Sequence, residues 1–335
     1  GVEVDVELHV SGKVFPFRGV FELDKEAPRG SAQHPDINEQ IHVPLTWSML
    51  DHSAESIQTT LYAHVRQGGK TLLRRTYPVT LLPPSEWKDN RTDGVWLPSF
   101  VLPRDPAVEG VLDHAVRHLR VLSDNPSAGF SGYQAIGDDP QANRAYVDRQ
   151  VQAIWSALKY DFELTYINPP PAYAQSSQRL RSPSEVIENR RGTCIDLALL
   201  LAACLEYIDV YPVIFLLRGH AVPGYWRGWE LHQSFSVPEK PDAPVNPEAS
   251  GADPNISSWM AGRRVHAELQ ARIERAELVP LETTFLTESK SYKEAREQGL
   301  ANLADESQFD AMLDIRRART DPRCPITPLP LKNLR

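Results

Sequence analysis

Apolar and polar residues alternate strictly at the start of the chain, where Val2, Val4, Val6, Leu8 and Val10 are separated by Glu3, Asp5, Glu7 and His9. A period of two puts each set on its own face of a strand, so this stretch predicts a half-buried β-strand. Gly12 follows as a turn, and further strands are expected over Val14–Leu23, Glu39–Leu45, Ile57–Val65 and Thr71–Leu82. Arg66-Gln67-Gly68-Gly69-Lys70 reads as the hairpin connection between the last two. Short strands punctuated by turns over residues 1–90 predict a β-sandwich of immunoglobulin-like size. Leu82-Pro83-Pro84-Ser85-Glu86-Trp87 then reads as a linker, because proline interrupts regular pairing.

Beyond the linker the period changes. Val108, Val111, Leu112, Ala115 and Leu119 recur at helical spacing within Asp105–Val121, and Gln141–Leu158 repeats the pattern. A glycine-bearing loop, Gly129–Gln134, lies between them. Asn168-Pro169-Pro170-Pro171 stops any helix; Ser182 as N-cap and Pro183 at the first helical position start a short one that should end near Gly192. Cys194–Ile208 is apolar around most of its circumference, so the helix it predicts must be covered on all sides. Strands are expected over Pro212–Leu217, Ala221–Trp226 and Glu277–Leu286. Pro238–Ser258, rich in Pro, Asp, Asn, Glu and Ser, reads as a flexible insertion. The proline-spaced tail Cys324–Pro330 should be extended and clasp another surface. The pattern as a whole predicts an α+β chain, with a β-sandwich over 1–90 and a second domain over 91–335 whose first part is helical.

Composition narrows the class. The 335 residues carry 41% hydrophobic side chains and a formal net charge of −8, which argues against a nucleic-acid or anionic-membrane partner. Cys194, Cys204 and Cys324 are odd in number and widely spaced, so neither a disulfide framework nor structural zinc is expected. No apolar window approaches membrane-spanning length, and the protein reads as cytoplasmic, with no cofactor or metal. The start at Gly1 without a Met reads as a piece of a longer chain.

Arg191-Gly192-Thr193-Cys194 places a cysteine in the first turn of the predicted core helix. Unpaired N–H groups and the positive end of the helix dipole both favour thiolate there, whereas a buried structural cysteine is the competing reading. Cys204, deeper in the same helix, reads as structural. Gly219-His220-Ala221 follows, with His220 26 residues after Cys194 at a strand end flanked by small residues. Glu282, in Leu278-Val279-Pro280-Leu281-Glu282-Thr283-Thr284, is surrounded by apolar residues on an expected strand, and burying it requires a partner such as an imidazolium. A solvent-facing histidine and a solvent-facing carboxylate are the alternatives. An oxyanion would need donors: the Cys194 N–H is one, Gln178 a candidate second, and Gln134 a competitor. His114 and His118 could share a metal, but without a third ligand in the sequence they read as solvated, as do His34, His42, His52 and His232.

The strings around Pro183, Gly192-Thr193-Cys194-Ile195-Asp196-Leu197-Ala198, Gly219-His220-Ala221 and Leu281-Glu282-Thr283-Thr284 resemble the Cys, His and acid motifs of the transglutaminase-like superfamily, a papain-like fold. They look most like bacterial transglutaminase-like cysteine protease domains, some of which are fused to helicase modules. The resemblance covers roughly residues 95–330 and is strongest over 178–226. It implies a buried nucleophile helix packed on an antiparallel sheet, with Cys194 as nucleophile, His220 as general base and acid, and Glu282 as orienting acid. Glu282-Thr283-Thr284 departs from the Asp-Pro-Thr of many relatives, and the His-to-acid gap of 62 residues is widened by the insertion, which could act as a lid.

The expected activity is hydrolysis of a peptide or isopeptide amide through a Cys acyl-enzyme, on a protein or peptide substrate. Transamidation or deamidation of glutamine would use the same site with another acceptor. A catalytically idle binding module, with the β-domain recruiting a protein partner, is the reading from a different class.

Overall fold

Strand β1 (Val2–Val10) buries its valines and Leu8 and turns Glu3, Asp5, Glu7 and His9 outward, as the alternation requires. It pairs antiparallel with β2 (Lys13–Phe21) on one side and β3 (Ile57–Gln67) on the other, and β3 pairs with β4 (Lys70–Leu81). Gly68 and Gly69 close the last hairpin with φ of 54° and 78°, a left-handed pair that suits a two-residue turn between twisted strands. In this computed structural model the described residues are 1–10, 13–22, 56–89, 94–134, 137–169, 177–235, 259–322 and 325–330. The chain divides into two units, Gly1–Glu86 and Trp87–Arg335. Among the described residues of the first unit there is one sheet, ordered β2-β1-β3-β4. The expected strand Glu39–Leu45 lies outside the described residues, as do His34, His42, His52, Cys324 and the whole of the 238–258 insertion.

The second unit opens with two helices, α1 (Pro106–Leu122) and α2 (Pro140–Tyr160). Asp105 and Asp139 cap them by accepting from the N–H two residues on, and each has proline in its first turn. A short strand β5 (Thr165–Tyr166) follows, then α3 (Pro183–Asn189), β6 (Arg191–Gly192) and α4 (Cys194–Tyr207). Ser182 caps α3 with a reciprocal Glu185 bond, as expected. The helix ends at Asn189, near Gly192 as expected, where Arg190 with φ of 51° turns the chain out of it.

Helix α4 is the centre of this unit; every residue from Ile195 to Leu205 is buried. It packs against a five-stranded antiparallel sheet built from β7 (Pro212–Leu217), β8 (His220–Trp226), β9 (Met260–Gly262), β10 (Leu278–Pro280) and, after helix α5 (Tyr292–Ala304), β11 (Phe309–Asp314). The strand order is β9-β11-β7-β8-β10. Alternate residues of β7 serve two cores: Ile214 and Leu216 face α4, while Val213, Phe215 and Leu217 face the opposite cluster with Leu269 and Ile273. A strand covered on both faces reads as a continuous apolar run, which is how Pro212–Leu217 appears in the sequence.

Two expectations change here. Glu277–Leu286 is not one strand: β10 ends at Pro280, and Thr283–Thr287 forms a short 3-10 helix. Proline has no N–H for the ladder, and Glu282 instead caps the turn by accepting from the Thr284 N–H. His232 is not solvated; it is buried, with Nε2 2.9 Å from Asp314 Oδ2. The tail does clasp its own unit. Ile326 is buried in the core, and its N–H donates to Ala318 O.

Helix α5 lies close against the end of β10 because Gly299 has no side chain. A Cβ there would sit 2.7 Å from Pro280 O, a backbone atom with little freedom to yield. Gly299→Ala should therefore lower stability by about 1–3 kcal/mol, the usual penalty for forcing extra volume into a packed contact. Urea unfolding monitored by tryptophan fluorescence checks this; a midpoint equal to that of the unaltered chain would contradict it.

Candidate active site

Three local devices fix the start of α4. Thr193 caps the helix by accepting from the Asp196 N–H at 3.3 Å, and Asp196 Oδ2 accepts from the Thr193 N–H at 2.9 Å. Asp196 is fully buried and also takes two bonds from Arg181, through the backbone N–H at 2.8 Å and the guanidinium at 2.7 Å. Gly192 packs tightly on the same turn, since a Cβ would lie 3.2 Å from Asp196 Cβ and from Leu197 Cδ2. Its φ is not in the left-handed region, so the glycine is there for close approach and not for a strained conformation. Cys194 is thus presented, half-buried, at a helix N-terminus whose first N–H groups have no partner within the helix.

His220 is the first residue of β8, set by a two-residue turn from β7. Gly219 takes φ of 72° in that turn, and a Cβ there would meet nothing. The small residue before the histidine serves the turn. His220 Nε2 lies 2.7 Å from Glu282 Oε2, and Cys194 is near enough to the imidazole to raise its pKa. The imidazole pKa is pushed up to about 10, first by the neighbouring Cys194 side chain and then by the Glu282 carboxylate, against the opposing effect of partial burial.

Glu282 is only 3% exposed. Burial alone would raise its carboxyl pKa, but hydrogen bonds from His220 and Thr284 outweigh it and hold the group below the usual carboxylate range. Oε1 accepts from the Thr284 N–H at 2.9 Å and its hydroxyl at 2.7 Å. The loop that carries Glu282 is pinned from α2, where Lys159 Nζ donates to the Phe285 and Glu288 carbonyls.

The three residues singled out in the sequence, Cys194, His220 and Glu282, are therefore brought together. Cys204 is buried, which raises its thiol pKa far above the ordinary value and disfavours thiolate. Gln134 is corrected: it lines a surface pocket with Tyr207, Ile208 and Asp209, at the opposite end of α4, about 20 Å along the helix at 1.5 Å per residue. Gln178 lies in a short strand, Ser177–Arg179, and Arg181 just beyond it binds Asp196 in the first turn of α4. His114 and His118 share Asp161 Oδ2, at 3.1 and 3.2 Å, with Arg117 beside them. Among the described residues no group of three or more His, Cys, Asp or Glu is placed to hold a metal ion.

Sequence reasoning missed Tyr166. Strand β5 runs parallel to β6 with Tyr166 opposite Gly192, which sets the ring near the start of α4. The phenol pKa is raised, first by burial and then by the neighbouring Cys194. Asn302 was also missed, because nothing in its spacing distinguishes it on a polar helix face.

A family model described as a transglutaminase-like domain matches residues 142–221. The matched segment runs from α2 through Cys194 to His220 and stops before Glu282, and it supports the transglutaminase-like superfamily for this part of the chain. No curated protein and no solved structure matches. No helix among the described residues is long and apolar enough to cross a membrane.

The raised His220 pKa has a definite sign. Its contribution to stability is complete below the ordinary value of 6.5 and is lost as pH rises through about 10. The depressed Glu282 contributes above 4.5 and is lost as pH falls through its folded value. NMR titration of the histidine rings should place His220 near 10. Cys194→Ala should lower that value while leaving it above 6.5, because Glu282 remains; a His220 pKa at or below 6.5 in the unaltered chain would contradict the geometry.

Proposed function

We propose that the Trp87–Arg335 unit is a thiol hydrolase that cleaves a peptide or isopeptide amide bond through a Cys194 acyl-enzyme. The observation that carries this reading is one imidazole, His220, held at 2.7 Å by a buried carboxylate and raised in pKa by a neighbouring cysteine at a helix N-terminus. Each member supplies what the chemistry needs. The match to a transglutaminase-like domain over residues 142–221 supports the same class.

The ion pair sets the order of steps. The Cys194 thiolate attacks the carbonyl carbon, and the oxygen becomes an oxyanion stabilised by the Cys194 N–H, with Gln178 as candidate second donor. The C–N bond breaks as His220 gives its proton to the departing amine. Neutral His220 then takes a proton from water, the hydroxide attacks the thioester, and Cys194 leaves as thiolate beside a restored imidazolium. Glu282 stays ionised throughout, holding the ring's tautomer and orientation. Water is the acceptor in this scheme; an amine in its place gives transamidation, and a glutamine side chain as acyl donor gives deamidation. The N-terminal sheet, which contains no cysteine, is assigned to recruiting a protein partner.

The test is mass spectrometry of a mixed peptide and protein pool after incubation with the chain. New backbone or isopeptide ends are expected, absent with Cys194→Ala and reduced roughly 10²–10⁴-fold with His220→Ala. A gain of 1 Da on glutamine, or a cross-link, would replace hydrolysis by the alternative outcome. Identical products from the unaltered chain and Cys194→Ala would overturn the reading.

A further inference from the structure

Glu282 Oε2 has a second partner besides His220. Asn302 Nδ2, from helix α5, donates to that same oxygen at 2.5 Å. The Asn302 amide is itself oriented: its Oδ1 accepts from Gln298 Nε2 at 2.7 Å, one helical turn earlier. A carboxylate offers about four lone-pair sites. Here all are filled, two on Oε1 by Thr284 and two on Oε2 by His220 and Asn302.

The fold invests in this contact. The Glu282 N–H donates to the Ala295 carbonyl of α5 at 2.9 Å, so the acid's backbone is fastened to the same helix that brings Asn302. Gly299, between Gln298 and Asn302, allows the helix to approach Pro280 closely. The start of α5 is fixed by a reciprocal Ser291–Glu294 cap, and Tyr292 meets Tyr225 of β8 at 3.2 Å. Asn302 is therefore delivered by a helix held at both its first turn and its middle.

We propose that Asn302 is a positioning residue of this site, with Gln298 setting the direction of its amide. The inference rests on the triad reading above. Asn302 does not touch the sulfur. It keeps Glu282 ionised despite burial, and it keeps Oε2 rotated toward His220, so the imidazole is presented to Cys194 in one orientation. Gln298 accounts for the amide's direction: a donor at Oδ1 leaves Nδ2 as the group facing the carboxylate. With the Asn302 donor removed, the buried anion loses one of four bonds, and its protonation moves to higher pH.

The experiment follows the rate of Cys194 alkylation by iodoacetamide against pH, with Cys204 and Cys324 replaced by serine in every variant. Asn302→Leu, close in size but without a donor, should move the acid limb up by about one pH unit and slow alkylation near its foot about tenfold, as expected for one hydrogen bond to a charged group. Gln298→Leu should produce a smaller shift in the same direction. In a Glu282→Gln background, Asn302→Leu should have no further effect on the profile, since a residue that acts through the carboxylate has nothing left to act on. An unchanged acid limb in Asn302→Leu, or an equal loss in both backgrounds, would overturn the proposal while leaving the triad intact. If Glu282→Gln itself leaves the profile unchanged, both the triad reading and this inference fall.

Discussion

A carboxylate removed from water must be held by donors, and the second unit is arranged around that requirement at Glu282. Four bonds reach its two oxygens, from Thr284 in its own turn, from His220 on β8 and from Asn302 on α5. Helix α5, the end of β10 and the start of β8 therefore meet at one buried anion. The pairing with His220 has a consequence at a distance, because the imidazole held by Glu282 is the one that meets Cys194 at the start of α4.

The nucleophile side is held by an equivalent device. Asp196, fully buried, closes the first turn of α4 through Thr193 and binds Arg181 twice. Two buried carboxylates thus do different work. Asp196 fixes the backbone that presents the thiol, and Glu282 fixes the imidazole of His220. Asp148 adds a third anchor, joining Tyr225 and Arg227 of the β8 region to α2 at 2.7 and 3.0 Å. The apolar sheet between them lets these polar contacts act in a water-poor setting, where each hydrogen bond to a charge is strong.

Much of this was legible in the chain because it follows from local rules. The continuous apolar run of Cys194–Ile208, the Ser182-Pro183 start and the alternation of Val2–Val10 each have one physical solution, and the elements form within a residue or two of those bounds. Cys194, His220 and Glu282 were identifiable by residue type and order. What escaped was set by tertiary contact. Glu282 sits in a capped turn and not a strand because its own side chain competes for the Thr284 N–H. Gln134 is carried to the far end of α4, a displacement no local pattern encodes. Tyr166 and Asn302 acquire meaning only through the parallel pairing of β5 with β6 and the close seat of α5 at Gly299.

The most direct test of the central claim is the second-order rate of iodoacetamide alkylation at Cys194, measured from pH 4 to 11 and compared with His220→Ala and Glu282→Gln. An imidazolium that persists to about pH 10 predicts fast alkylation across the neutral range. Both substitutions should lower that neutral rate, His220→Ala the more. Three superimposable profiles, each rising only through the ordinary thiol range, would contradict the account.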